Sequence, residues 1–305
     1  MHLLIISNNR IGDNLICLQV LNKYVRKYKN NLEITLVTGP LPLAIYDDYP
    51  MIINRIILEK RKFNFHWIEL YKKLIDFKFD EIIDFRSSLI SFFFRVNKRT
   101  IFKMKKNVNI YEQIHKKFET DINKDFKIKI DRVRNIVSSS NYACISPFAS
   151  WPFKEWGLDK FLNISHYLLK KGISKIFILG SIKDSEYFEI FRKDLGNQVI
   201  NRCGKQHILN DYGLLQKAKI FIGNDSAMMH MAAISKVPTL ALFGPTNDKV
   251  YFPTIFSNCH LIRSSESYEK LVSLKKNPNQ NNLMNGIQII DVQKKIDHIL
   301  NDKNF

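Results

Sequence analysis

Four short segments of the chain carry residues whose types and spacing suit chemistry. The first is Asn9-Arg10-Ile11-Gly12-Asp13-Asn14, directly after an apolar run at residues 3–6. Gly12 permits an unusual backbone angle or a close approach. Asp13 stands at or near a helix start, either as an N-cap worth about 1 kcal/mol or as a general base. The second segment is Ser146-Pro147-Phe148-Ala149-Ser150-Trp151-Pro152-Phe153-Lys154-Glu155-Trp156. A Ser150 hydroxyl and the compact charge of Lys154 suit a phosphate. The plainer alternative makes Trp151 and Trp156 packing residues and Lys154 a surface charge. The third is Gly223-Asn224-Asp225-Ser226-Ala227-Met228-Met229-His230, which reads as strand, turn and helix. The N–H groups from about Asp225 to Met228 then point out of a helix N-terminus, a ready anion site. Asp225 and Ser226 serve equally as caps there, and His230 as an ordinary helix residue. Phe243-Gly244-Pro245-Thr246 is a further strand end and turn.

Positioning these segments requires a regular alternation of strands and helices, and the sequence supplies it. Apolar runs at residues 3–6, 33–37, 55–58 and 81–84 read as strands, and 14–28 as a helix with Leu15, Leu18, Leu21, Tyr24 and Val25 at helical spacing. Residues 120–140 are polar and end in Ser138-Ser139-Ser140-Asn141, a candidate linker. The rhythm restarts with strands at 142–146, 175–179, 219–222 and 239–243. Helices fall at 158–171, 184–195 and 227–235, with a last one at 291–300. Residues 264–283 are polar and turn-rich and read as a surface loop. Repeated β/α units imply parallel sheets covered by helices, with ligands beyond the carboxyl ends of the strands. No dinucleotide fingerprint G-x-G-x-x-G is present.

The chain has 305 residues, 45% hydrophobic and 25% charged, which suits two packed domains. No apolar run is long enough to cross a bilayer. The first residues lack the charged flank and cleavage site of a signal peptide. Cytoplasmic location is the expectation. Cys17, Cys144, Cys203 and Cys259 are far apart, with no C-x-x-C pair. Reduced thiols and no metal site are therefore expected. With 47 Lys and Arg against 29 Asp and Glu, the formal charge is +18. Part of this matches a general enrichment in Lys and Asn. The remainder suits an anionic lipid or a phosphorylated substrate. Nucleic acid is the weakest of these readings, because no recognition module is present.

Taken together, the motifs resemble glycosyltransferase family 9, the heptosyltransferase-like enzymes of lipopolysaccharide core assembly. The resemblance spans nearly the whole chain. It rests on Gly12-Asp13, Tyr49-Pro50, Asp84-Phe85-Arg86-Ser87, Pro147 through Trp156 and Gly180-Ser181. It continues in Gly223-Asn224-Asp225-Ser226, Met229-His230-Met231-Ala232, Pro238, Leu242-Phe243-Gly244-Pro245-Thr246 and Leu283-Met284-Asn285-Gly286-Ile287. The family implies an α/β GT-B fold, with two Rossmann-like domains facing across a cleft. Residues 1–140 would bind acceptor and residues 141–305 nucleotide-sugar donor, with the last helix free to pack back on the first domain. It also implies inverting transfer with no metal and no cofactor. Asp13 matches the catalytic base. Ser150, Lys154, Gly180, Ser181, Asp225, Ser226, Ala227 and His230 match donor-binding positions, and Arg10, Gly12 and Arg86 acceptor-binding ones. The implied donor is ADP-heptose or another nucleotide sugar. The implied acceptor is an anionic glycolipid at the inner face of the cytoplasmic membrane, where a monomer would bind peripherally. Phe148, Gln19 and Ala227-Met228 depart from the family's usual Gly, Pro and Gly-Pro. A non-catalytic basic binding protein with the same fold is the alternative.

Phe92-Phe93-Phe94-Arg95, followed by Lys98, Arg99, Lys103, Lys105 and Lys106, combines aromatics with positive charge. The three phenylalanines are expected in a buried helix end. The cations are expected to face an anionic bilayer, each adding about 1 kcal/mol near its surface.

Overall fold

The computed structural model describes residues 1–130, 141–274 and 283–302. The chain forms two compact units, one built mainly from residues 1–131 and the other mainly from residues 132–305. Ser138-Ser139-Ser140 of the expected linker, and residues 275–282 of the expected loop, lie outside the described residues.

The first unit contains, in order, β1 (His2–Ile6), α1 (Ile11–Tyr28), β2 (Glu33–Thr38), β3 (Ile52–Ile57) and α2 (Phe65–Leu74). β4 (Glu81–Asp84), β5 (Lys98–Ile101), α3 (Ile110–Phe118) and α4 (Ile122–Asp125) follow. Its sheet is parallel throughout, in the order β3-β2-β1-β4-β5. β1 is apolar without alternation because helices cover both faces of such a sheet. Leu4, Ile6, Val37 and Ile82 meet Leu70, Leu74, Phe79, Ile90 and Phe94 in one core cluster.

The second unit contains β6 (Tyr142–Ser146), α5 (Leu158–Lys170), β7 (Lys175–Ile178), α6 (Phe188–Leu195), β8 (Val199–Asn201) and α7 (Ile208–Leu215). It continues with β9 (Ile220–Asn224), α8 (Ala227–Ser235), β10 (Thr239–Phe243), α9 (Asp248–Tyr251), β11 (Cys259–Arg263), α10 (Tyr268–Leu274) and α11 (Ile289–Asn301). Its sheet runs β11-β10-β9-β6-β7-β8, again parallel. Both orders are doubly wound. Successive strands build outward from β1 or β6, and the order then reverses at β1/β4 and at β6/β9. At such switch points the adjoining loops diverge and open a crevice beyond the strand ends.

Two expectations change. Residues 120–130 are not a linker: they contain α4 and are anchored to α1. Arg26 pairs with the buried Asp125 at 2.9 Å, and the Asn22 side chain donates to the carbonyls of Asp125 and Lys127. Phe126 and Ile128 are buried beside them. Polar composition misled here because these charges have partners far along the chain. The loop expected from 264 includes α10, with Leu271 buried. The last helix, α11, packs within the second unit. Val292, Ile296 and Ile299 join its core, and Asp297 accepts from Tyr167 Oη at 2.7 Å and pairs with Lys171. Among the described residues, no helix is long and apolar enough to cross a membrane.

Candidate functional site

In the second unit, β6 and β9 end side by side, Ser146 opposite Gly223. The loop after β6 is held at both ends by one buried side chain. Asn224 donates from Nδ2 to the Pro147 carbonyl at 2.7 Å and accepts at Oδ1 from the Trp156 amide at 3.2 Å. Trp156 itself is fully buried, with its indole N–H on the Ile287 carbonyl and its ring against Phe161. It is a packing residue. Glu155 closes the loop by accepting from the Ala149 amide.

Within this frame Lys154 Nζ lies 2.6 Å from Asp225 Oδ2. The lysine side chain is 21% exposed and the aspartate 7%, so the pair is not a solvated surface contact. His230 Nε2 is 4.0 Å from the other carboxylate oxygen. Burial pulls the imidazole down to about 4, against the opposing pull of Asp225. His230 is therefore neutral at pH 7, and the cluster holds one cation, one anion and one neutral ring.

Ser226 is the N-cap residue of α8, yet its side chain makes no capping hydrogen bond. Its Oγ is a buried atom with no partner among the described residues, as are Thr246 Oγ1 after β10 and Arg263 Nη2 at the end of β11. Buried polar groups are normally satisfied. Three such atoms at the carboxyl ends of adjacent strands, beside a helix N-terminus, suit an oxygen-rich ligand. Ser150 is exposed on the adjoining loop, and Ala227 is half-buried in the first turn of α8. Ser181 differs: its hydroxyl donates to Asp184 at 2.7 Å in a capping box, and Gly180 packs close to Phe148 and Asp184. Phe148 is buried in the core against Tyr187, so this departure fills the interior.

In the first unit the corresponding strand ends carry different groups. Asp13 sits in the first turn of α1, whose N-cap is Arg10, so it is not the capping residue. Gly12 lies in the same turn within the helix, with ordinary negative φ. Arg10 is exposed. Arg86 Nη1 donates to Asn9 Oδ1 at 3.0 Å, and its guanidinium lies 5.2 Å from the centre of the Trp67 ring. The buried Asp84 fixes this turn by accepting from the Arg86 and Ser88 amides and the Ser88 hydroxyl. Cys17 is buried one turn after Asp13. Burial, then the negative charge of Asp13, push its thiol well up, so it is inert.

The residue missed in sequence is Asn14. It is fully buried, and its Oδ1 accepts from Ser7 Oγ at 2.6 Å, Tyr46 Oη at 2.8 Å and Thr38 Oγ1 at 3.2 Å. Its Nδ2 donates to the carbonyls of Asn8 and Arg10. One amide thereby ties the start of α1, with Arg10, Gly12 and Asp13, to the end of β1, to β2 and to the turn at Tyr46. Its only sequence signal was a polar residue heading an apolar helical stripe. Gln19, another departure, is also buried, accepting from Thr120 Oγ1 at 2.6 Å.

The model of glycosyltransferase family 9 (heptosyltransferase) matches residues 98–281, more than half of the chain. The chain belongs to glycosyltransferase family 9. Lipooligosaccharide heptosyltransferase 2 of Campylobacter jejuni serotype O:6 is 23% identical over 255 residues, covering 78% of this chain and 80% of that protein. Lipooligosaccharide heptosyltransferase 2 of Haemophilus influenzae is 28% identical over 129 residues, 41% of this chain but only 36% of that one. In fold, the chain resembles the family 9 glycosyl transferase of Veillonella parvula. The TM-score is 0.76 at 18% identity, covering 98% of this chain and 97% of that one. It also resembles Escherichia coli ADP-heptose lps heptosyltransferase II, with TM-score 0.70 at 16% identity, covering 98% of each. The family 9 member described here is thus a glycosyltransferase with two parallel-sheet α/β domains, as the motifs led one to expect.

Proposed function

We propose that this family 9 enzyme is an inverting, metal-independent heptosyltransferase. It takes heptose from ADP-heptose and transfers it to an anionic, lipid-linked glycan. It works as a monomer, peripherally, at the inner face of the cytoplasmic membrane. The observation that carries the donor half is the Lys154–Asp225 pair beside the Ser226 hydroxyl at the start of α8, which has no partner among the described residues. A diphosphate placed there meets an ammonium, a free hydroxyl and helix N–H groups. These groups stabilise the negative charge that grows on the departing nucleoside diphosphate, the task a metal performs elsewhere. His230, being neutral, offers a hydrogen bond without adding charge. The heptosyltransferase relatives, and the ADP-heptose named for the E. coli structure, support the choice of donor.

Asp13 is the proposed base. An acceptor hydroxyl is a weak nucleophile at neutral pH, and the cations and N–H donors around Lys154 cannot take its proton. As the acceptor oxygen bonds to the anomeric carbon, Asp13 receives that proton while the bond to the diphosphate oxygen breaks on the opposite side. A single displacement of this kind inverts the anomeric centre. Arg10 and Arg86, with Gly12 leaving room, suit an acceptor carrying phosphates or carboxylates.

The test is calorimetric titration with ADP and with other nucleoside diphosphates, followed by transfer assays with ADP-heptose in the presence of a chelator. Selective ADP binding and chelator-insensitive transfer are expected. Failure to bind any nucleoside diphosphate overturns the donor assignment. Transfer abolished by the chelator and restored by a divalent cation overturns the metal-independent mechanism.

A further inference from the structure

The first unit carries a surface that neither strand-end site uses. Between Lys60 and Lys106, leaving out Arg86, the chain has 12 Lys and Arg against 5 Asp and Glu. The same stretch exposes large apolar side chains. Phe63 is 88% exposed, Leu89 77%, Phe93 68% and Phe92 59%, with Phe65 and Ile68 more than half exposed. Only Phe94 of the three consecutive phenylalanines is buried, contrary to the sequence expectation. It joins the core cluster and takes the inward position that its neighbours cannot share.

Local geometry presents these groups outward. Phe63 and Asn64 both have left-handed backbone, at φ 53° and 61°. That region is uncommon for residues other than glycine, and here it carries an aromatic ring into solvent. Phe65, Ile68 and Lys72 recur at helical spacing and share one face of α2. The Leu89–Phe93 turn adjoins this helix, because the Phe93 ring lies 6.0 Å from that of Tyr71. Cations interleave with the rings. Arg61, Lys62 and Lys72 line the same hollow as Phe65 and Ile68, and the Arg99 guanidinium lies 5.1 Å from the centre of the Phe92 ring.

We infer that α2, the turn before it and the Leu89–Phe93 turn form the face by which this protein docks on an anionic lipid bilayer. Exposed aromatic rings settle at the boundary between headgroups and acyl chains, and the surrounding cations meet the negative headgroups. Exposed aliphatic side chains among the cations select this occupant: bases stack on aromatic rings, but Leu89 and Ile68 are covered only by an apolar medium such as acyl chains. The inference rests on the reading that the acceptor is lipid-linked, and it specifies which surface brings the enzyme to it.

Co-sedimentation of the full chain with phosphatidylethanolamine vesicles, with and without phosphatidylglycerol, tests the assignment. The parent should pellet with the anionic vesicles and release as salt rises. Phe63→Ser should lower partitioning about tenfold, and Lys62→Gln and Lys72→Gln about fivefold each. All three variants should keep the parental melting temperature and ADP affinity. No binding of the parent to anionic vesicles overturns the inference, as does parental partitioning by the variants. A lipid-free dimer that Phe63→Ser dissociates also overturns it, because the face would then join two copies. Should ADP fail to bind any of these proteins while vesicle binding follows the pattern above, the donor reading falls and the docking face stands.

Discussion

The two strand-end sites have one topology and opposite chemistry. At β1/β4 and at β6/β9 the strand order reverses in the same way, and in each a buried asparagine, Asn14 or Asn224, holds the loop that follows the first strand. Around Asn14 the polar atoms are mutually satisfied: three hydroxyls converge on one carbonyl oxygen, and the carboxylate of Asp13 stands in the adjoining helix turn. In the second unit the largely buried Lys154–Asp225 pair adjoins Asn224, and Ser226 Oγ, Thr246 Oγ1 and Arg263 Nη2 after β9, β10 and β11 have no hydrogen-bond partner among the described residues. The difference shows that a doubly wound frame sets where a ligand binds, while the few side chains at the strand ends set what it does. A closed network suits holding a base in place. An incomplete one suits receiving phosphate and sugar oxygens.

The largest effect expected from this contrast is at Asp13. Asp13→Asn should lower turnover by about 10²–10⁴-fold, the usual contribution of a positioned base, with ADP affinity and melting temperature unchanged. Parental turnover in that variant would erase the catalytic half of the comparison. Next come the asparagines. Asn14→Ala strands the Ser7 and Tyr46 hydroxyls, while Thr38 keeps the Asn8 carbonyl at 2.9 Å, and should destabilise the first unit by about 2 kcal/mol, more than Asn224→Ala costs the second. Chemical denaturation followed by hydrogen exchange in each unit would show it, and equal losses would mean that the two loops are held alike.

Acid should separate the sites as well. The folded-state pKa of His230 is about 4, below the ordinary 6.5. Below pH 6.5 the unfolded chain therefore takes up a proton that the folded chain refuses. The stability involved is fully present above 6.5 and is lost as the pH falls toward 4, at most about 3 kcal/mol. In the first unit His66 is also lowered, by burial and then by Arg86 and Lys60. His230→Gln should flatten the acid limb of the stability curve, and the curve of His66→Gln measures the other site. Lys154→Ala should weaken ADP binding roughly thirtyfold by removing a charge-assisted contact, while Arg86→Ala leaves it unchanged. Calorimetry that finds the reverse would exchange the roles of the two units. The smallest change, about fivefold in ADP affinity, is expected for Ser226→Ala. Its melting temperature should hold, since the hydroxyl has no partner to lose among the described residues.

Much of this was legible before any fold was seen. The expected helix at 227–235 coincides with α8, and Gly223-Asn224-Asp225-Ser226 does join a strand to a helix. Asp13 follows β1 in the first turn of α1, and Lys154 lies in the loop between β6 and α5. Other elements escaped notice for definite reasons. β3 begins at Ile52 and not at 55, because its edge position leaves Ile53 and Ile57 exposed and blurs the apolar pattern. Ser181 matched a donor-binding position by resemblance, and the structure shows its hydroxyl donating to Asp184 three residues on. Asn14 and Asn224 did not stand out in a chain so rich in asparagine, since their importance lies in distant partners.

The sequence by itself determined the β/α rhythm, its repetition in two halves, and the placing of the motifs at strand ends. Side-chain periodicity and turn chemistry are local properties, so a linear reading reaches them. Only the tertiary structure joined Lys154 to an aspartate 71 residues away, emptied His230 of charge, and turned Phe94 inward while leaving Phe92 and Phe93 in solvent. Burial and the field of neighbouring charges depend on everything packed around a group, and no stretch of sequence contains its own surroundings.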